Sequence, residues 1–218
     1  MKMTNKDTFF LETSHELRTL FENGFRAQKL SRGETLFVQD QYDDQLYVLD
    51  EGLLEVSVYS VSGRKLSLNR LGPESVFGEI AMFDPGPRTA QVVALEPCTL
   101  RAIGKNTLIA ALANQPHLAA ELLSLAGKRM RWMSQQMEEQ VFLSPAARLA
   151  DKVLHLAGDT ARITVTQAQM ADYVGVTREL VSKTLAEWQR TGIVGVSRGR
   201  IDVLDAGALE NIKDSEFM

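Results

Sequence analysis

Two stretches of this 218-residue sequence carry side chains whose types and spacing could do chemistry. The first runs from Thr166 to Arg200. Thr166-Gln167-Ala168-Gln169 is a capping box, a threonine followed three residues later by a glutamine, and it starts a helix. Ala171 is small enough for two helices to touch, and Gly175 comes four later at a turn that needs positive φ. Val174, Leu180 and Val181 supply apolar contacts, and Thr177 caps a second helix. That helix opens with Arg178, Glu179, Ser182 and Lys183. Arginine can grip guanine through two hydrogen bonds, glutamate can accept from cytosine N4, and lysine can reach a guanine or a phosphate. Recognition helices read base edges from this N-terminal end, and Arg198 and Arg200 follow at the tip of an expected strand-turn-strand, which reads as a wing. An αα-corner with a capped second helix also occurs in proteins that never touch DNA. The placement of the polar residues and the wing favour double-stranded DNA as a partner.

The second stretch is Val76-Phe77-Gly78-Glu79-Ile80-Ala81-Met82-Phe83-Asp84-Pro85-Gly86-Pro87-Arg88-Thr89-Ala90. Gly78 lets backbone approach a ligand, and a short helix starting there offers free N–H groups to an anion. Arg88 supplies a forked cation suited to phosphate. Glu79 could accept from a sugar hydroxyl, and Thr89 could donate to the phosphate. One acid, one arginine and a helix N-terminus inside a barrel describe a nucleotide monophosphate site. A surface turn carrying a Glu–Arg ion pair satisfies the same spacing.

The elements around these stretches fall into two periods. Residues 28–104 read as short strands, among them Gln45–Leu49 and Leu53–Tyr59, with turns at Arg32-Gly33, Glu51-Gly52, Ser62-Gly63, Leu71-Gly72-Pro73 and Pro85-Gly86-Pro87. Such spacing predicts a small antiparallel barrel or roll. From Asn106 to Gln140 the residues are helix formers, interrupted at Pro116. Ala119, Leu123, Ala126, Met130, Met133 and Met137 repeat at a 4-3-4-3-4 spacing, an a/d seam that favours a two-stranded homodimer over packing against its own domain. Phe142-Leu143-Ser144-Pro145 breaks the helix, with Ser144 as cap and Pro145 at the first helical position. A helix at 146–157, a strand at 162–165, helices at 167–174 and 178–191 and a hairpin at Arg198-Gly199 complete the reading. The expected fold class is α+β: a β-roll sensor at 1–105, a long dimerisation helix at 106–141 and a winged helix-turn-helix at 142–218.

Composition excludes other classes. Hydrophobic residues form 44% of the chain, enough for a core. Its longest apolar run, Leu108–Ala113, is far short of the ~20 residues that span a bilayer, and the polar start Met1–Asp7 is unlike a secretory signal. A soluble, cytoplasmic protein is expected. Cys98 is the one cysteine, so no internal disulfide, Cys-rich zinc site or four-thiolate iron–sulfur cluster can form. His15, His117 and His155 lack metal-ligand spacing. The net charge of −4 hides a surplus at 142–204, where 8 basic residues face 6 acidic ones. No P-loop, G-x-S-x-G or Cys/His arrangement points to an enzyme.

The segment Phe77-Gly78-Glu79 through Pro87-Arg88-Thr89-Ala90 resembles the phosphate-binding cassette of cyclic-nucleotide-binding domains, and glycines 33, 52, 72 and 78 fall at that domain's turns. With the long helix, the Phe142-Leu143 hinge and the helix-turn-helix, the chain looks like the Crp/Fnr family of bacterial transcription regulators over residues 20–205. That resemblance implies cAMP or another cyclic nucleotide as effector, with no prosthetic group. It implies that Glu79 holds the ribose 2′-hydroxyl, that Arg88 and Thr89 hold the cyclic phosphate, and that Arg129 on the long helix reaches Glu79. Val56 and Leu68 would wall the pocket beside Gly78, Ile80, Ala81 and Ala90. Adenine is contacted across the family's dimer by a Thr-Ser pair, and here those positions are Met133 and Ser134, a departure because Met133 offers no comparable hydrogen bond. Arg178 and Glu179 match the family's base-reading pair, and Lys183 stands where a third arginine is usual, implying a TGTGA-like half-site. RNA polymerase is a further implied partner, through a loop, Gly158–Arg162, that looks shorter than in enterobacterial members. Alternatives within the family are constitutive DNA binding or a response to cyclic di-GMP. Outside it, the chain could be a nucleotide-binding module that regulates a protein partner.

Overall fold

The computed structural model describes residues 26–215, so the polar N-terminal segment, His15 and the start of the expected sensor domain lie outside the described residues. The described residues form two compact units: one holds those up to Arg64 together with Leu68–Met130, the other Lys65–Ser67 and those from Arg131 onward.

In the first unit the turn-punctuated strands form two antiparallel sheets. One has the order β1 (Arg26–Leu30), β8 (Cys98–Gly104), β3 (Gln45–Glu51), β6 (Val76–Phe77); the other runs β2 (Thr35–Phe37), β7 (Gln91–Ala94), β4 (Leu54–Tyr59), β5 (Lys65–Leu71). Side chains from every strand of both sheets meet in one core, including Leu30, Phe37, Leu49, Leu54, Val56, Leu71, Phe77, Val92 and Leu100. Neither β3 nor β4 alternates strictly between buried and exposed, because Leu46 to Leu49 and Leu54 to Ser57 are buried on both faces. Leu46 and Val48 point into a second cluster with Val76, Met82, Ile103, Leu108, Leu118 and Leu122. Helices α1 (Glu79–Phe83), α2 (Lys105–Asn114) and the start of α3 (His117–Phe142) supply the other half of that cluster. Gly52 at the β3–β4 turn has φ +97°, and a Cβ there would lie 2.5 Å from the Pro97 carbonyl oxygen and 2.6 Å from the Cys98 sulfur, so no other residue fits.

The predicted break at Pro116 separates α2 from α3. Over α3 the buried face is Leu118 and Leu122, whereas Leu123, Met130, Met133 and Met137 of the seam are exposed and Ala126 is half-buried. Trp132 is half-buried on the same helix.

The second unit follows its sequence signals closely. Ser144 accepts from the Ala147 N–H at 3.1 Å and caps α4 (Pro145–Ala157), with Pro145 at the first turn. After a 3₁₀ turn at Gly158–Thr160 come β9 (Arg162–Thr164), α5 (Gln167–Val174), α6 (Arg178–Arg190), β10 (Val194–Ser197), β11 (Arg200–Val203) and α7 (Ala206–Lys213). The three strands form one antiparallel sheet, ordered β10-β11-β9. Val153, Met170, Val174, Val181, Leu185, Trp188, Val194, Ile201 and Leu209 close a separate core. Leu180 departs from expectation: it is 37% exposed, because its neighbour Val181 takes the inward position on α6.

Among the described residues no helix is long and apolar enough to cross a membrane. Leu185 is fully buried where α6 meets this second core, so Leu185→Ala is expected to cost about 2–5 kcal/mol. Urea unfolding followed by far-UV circular dichroism should show the lowered midpoint.

Candidate functional site

A cavity in the first unit encloses about 360 Å³, counted to its open mouth. Gly78, Glu79, Ile80, Ala81, Arg88, Thr89 and Ala90 line it, together with Val56 and Arg129. The sequence reading missed Phe37, Phe77 and Val92, which complete the wall. Gly78 stands at the N-cap of α1 with φ +88°, and a Cβ there would lie 2.7 Å from Arg88 Nη1 and 2.9 Å from the Gln45 carbonyl oxygen. The backbone can pass this close to the guanidinium only without a side chain.

Arg88 is almost fully buried. Its Nη1 donates to the Gly78 carbonyl at 2.9 Å, and its Nη2 donates to Asp43 Oδ2 at 2.6 Å and to the Gln45 carbonyl at 2.7 Å. The guanidinium carbon lies 4.2 Å from the Phe37 ring centre and 5.4 Å from that of Tyr47, within cation–π range. Tyr47 O–H lies 2.9 Å from Asp43 Oδ2. Burial, reinforced by the Asp43 carboxylate, raises the Tyr47 phenol above its ordinary value and keeps it protonated. Arg88 is thus a structural tie as well as a candidate phosphate ligand.

Glu79 presents the opposite situation. Its side chain is 4% exposed, and Arg129 Nε lies 3.3 Å from Oε1, as the resemblance implied. Yet among the described residues neither carboxylate oxygen accepts a hydrogen bond. Burial pulls the Arg129 guanidinium below its ordinary pKa, with the Glu79 charge acting against that shift. A buried carboxylate short of donors suits a ligand bearing hydroxyls.

Leu68, expected in the wall, does not line the cavity; it packs on the core shared by the two sheets, since β5 sits at the sheet edge beyond β4. Met133 and Ser134 are exposed on α3 and are absent from the lining.

In the second unit the expected capping box is complete: Thr166 Oγ1 accepts from the Gln169 N–H at 3.2 Å, and the Thr166 N–H donates to Gln169 Oε1 at 3.0 Å. Gly175 ends α5 at φ +73°, and Thr177 caps α6 through the Leu180 N–H at 3.3 Å. These caps leave Arg178, Glu179 and Lys183 exposed at the start of α6, with Ser182 half-buried. Thr166 and Thr177 are exposed, and Gln167 is half-buried at the start of α5. Arg198 is exposed at the β10–β11 turn. Arg200 is partly offset, because its Nε lies 3.0 Å from Asp202 Oδ2 while Arg162 Nε holds Oδ1 at 2.6 Å. An exposed polar helix start beside a β-hairpin has the geometry of a major-groove reader.

Residues 27–115 match the model of the cyclic nucleotide-binding domain, and residues 147–212 match the Crp-like helix-turn-helix domain. A CRP-like cAMP-activated global transcriptional regulator of Mycobacterium tuberculosis is 28% identical over 187 residues, covering 82% of this chain and 84% of that protein. The cyclic AMP receptor protein of Thermus thermophilus is 27% identical over 190 residues, covering 86% and 88%. Among solved structures, a c-di-GMP-responsive global regulator of Xanthomonas campestris superposes with a TM-score of 0.78 at 18% identity, covering 87% of this chain and 99% of that one. A nucleotide-binding roll followed by a helix-turn-helix defines a class, the transcription regulators that carry their own sensor domain. Within that class the chain belongs to the Crp/Fnr family, which is not enzymatic.

Removing one member of a buried ion pair strands the other, so Arg129→Met is expected to destabilise the first unit by about 3–5 kcal/mol at neutral pH. Thermal unfolding midpoints of the variant and the parent at pH 7.5 check it.

Proposed function

We propose that this regulator is a homodimer whose DNA binding is gated by a cyclic nucleotide, cAMP first, and that it reads a palindromic TGTGA-like site. The observation that carries the ligand half is the buried Glu79 carboxylate without a hydrogen-bond donor, beside Arg88 and Arg129 in an open cavity. A ribose hydroxyl supplies the missing donor, and a cyclic phosphate supplies the anion for Arg88 and Thr89. The cAMP-activated regulator at 28% identity and the cyclic AMP receptor protein at 27% support the choice of nucleotide. Similarity to the cyclic di-GMP-responsive protein, at 18% identity, carries the fold alone. Met133 favours a second reading, in which another ligand or none gates the same dimer, because a thioether offers adenine no strong hydrogen bond.

For the DNA half, Arg178 and Glu179 read base edges, with Ser182, Lys183, Thr166, Gln167, Thr177, Arg198 and Arg200 on bases or backbone. The seam of Leu123, Ala126, Met130, Met133 and Met137, exposed except for half-buried Ala126, pairs with its copy and brings Ser134 and Met133 towards the partner's pocket. Nucleotide contacts made in one dimer arrangement bias both recognition helices to a spacing of ~34 Å, one DNA turn. Work as a regulator in the cytoplasm, with RNA polymerase as partner, follows from this reading. So does a division into sensor (1–105), dimerisation helix (106–141) and DNA-binding domain (142–218).

Fluorescence anisotropy of a labelled TGTGA…TCACA duplex, at near-physiological salt and with and without cAMP, tests the whole proposal. cAMP should tighten binding about tenfold or more, some 1.4 kcal/mol of coupling. Specific binding that cAMP leaves unchanged keeps the regulator and discards cAMP. Arg178→Ala should weaken binding to the specific duplex by about 1–3 kcal/mol while sparing affinity for random sequence. Met130→Glu places like charges across the seam and should yield monomers in sedimentation velocity.

A further inference from the structure

We propose that Asp43 is a built-in counter-anion for Arg88 that competes with the ligand's phosphate, so that the chain's own carboxylate sets the threshold for effector binding. This inference rests on reading the cavity as a cyclic-nucleotide site.

The loop between β2 and β3 is laced to the cassette by backbone. The Asp40 N–H donates to the Arg88 carbonyl at 2.8 Å, the Arg88 N–H donates to the Gln41 carbonyl at 2.8 Å, and Tyr42 bridges to Pro87. These bonds deliver the next residue, Asp43, to the guanidinium. Its Oδ2 sits 2.6 Å from Nη2, and the carboxylate is steadied by the Tyr47 hydroxyl at 2.9 Å and by the Gln45 N–H on Oδ1 at 3.0 Å.

What matters is which protons this uses. A guanidinium offers parallel N–H pairs along two edges, Nε with Nη2 and Nη1 with Nη2, and Nη2 belongs to both. Here Nη2 spends its two protons on Asp43 and on the Gln45 carbonyl, while Nε is left without a partner. An arriving phosphate can therefore take single hydrogen bonds but no paired grip until Nη2 is released. The Gln45 carbonyl is fixed by its strand, whereas Asp43 is a side chain, 16% exposed, that keeps Tyr47 and Gln45 as partners when it lets go. Exchange of one anion for the other is thus the easier route to a paired Arg88–phosphate contact. A carboxylate that merely oriented Arg88 for the ligand would have the opposite effect on affinity, which makes the two roles separable.

Calorimetric titration of the full chain with cAMP, cGMP and cyclic di-GMP, on the parent, Asp43→Asn and Asp43→Ala, tests this. Asparagine keeps the shape and the neighbours of Asp43 without its charge; alanine removes both. Both variants should bind the nucleotide that the parent binds roughly tenfold or more tightly, the range expected when a charged hydrogen bond is removed from the free state alone. Ligand-free Asp43→Asn should unfold at a lower temperature than the parent, because Arg88 has lost its counter-charge, and saturating nucleotide should raise its midpoint by more than it raises the parent's. Equal or weaker binding by the folded variants overturns the role of Asp43 and leaves the pocket standing. Failure of the parent and both variants to bind any of the three nucleotides overturns the pocket reading, and this inference with it.

Discussion

A buried charge in this protein must be answered within a few ångströms, and the sensor unit is organised around two such answers. Arg88 and Glu79 are almost fully removed from water, an arrangement that costs several kcal/mol per ion unless a partner is present. Arg88 is met by Asp43, two carbonyls and an aromatic face. Among the described residues Glu79 is met by Arg129. The first charge is held by three hydrogen bonds and the second is not, and that difference marks where a ligand has something to add. The roll, its glycine at position 78 and the docking of the long helix by Leu118 and Leu122 can all be read as means of holding these four side chains in place.

How much of this was legible in the sequence depends on the distance along the chain over which each contact acts. The second unit is written locally: the caps at Ser144, Thr166 and Thr177 bond three residues ahead, and the turn at Gly175 needs only its own φ. Its elements accordingly fall where propensity and capping place them. The cassette was legible as a motif, but its state was not. The Asp43–Arg88 contact joins residues 45 apart, and nothing in the Asp43-Asp44 pair distinguishes it from a solvated acidic turn. Phe37 and Val92 were missed for the same reason, since a strand of three or four residues carries no sign of which pocket it faces. Leu68 and Leu180 show the reverse error. Each is apolar and well spaced for its expected role, but Leu68 packs on the core away from the cavity and Leu180 yields the inward position to Val181.

The long helix reconciles two demands with one sequence. Leu118 and Leu122 belong to the sensor's core, while the adjoining stripe of Leu123, Met130, Met133 and Met137 is left in solvent. Methionine suits such a stripe, because its unbranched, polarisable side chain adapts to more than one packing arrangement. Met133 lies on this stripe, which explains its type without reference to a nucleotide.

Both tryptophans of the chain, Trp132 and Trp188, fall in the second unit, and the cavity wall contains neither. Indole emission therefore comes from the long helix and the DNA-reading domain, while the sensor unit carries tyrosines and no tryptophan among its residues. No indole lines the cavity, so a change in tryptophan emission on a nucleotide's arrival reports an event beyond that unit's own cavity wall.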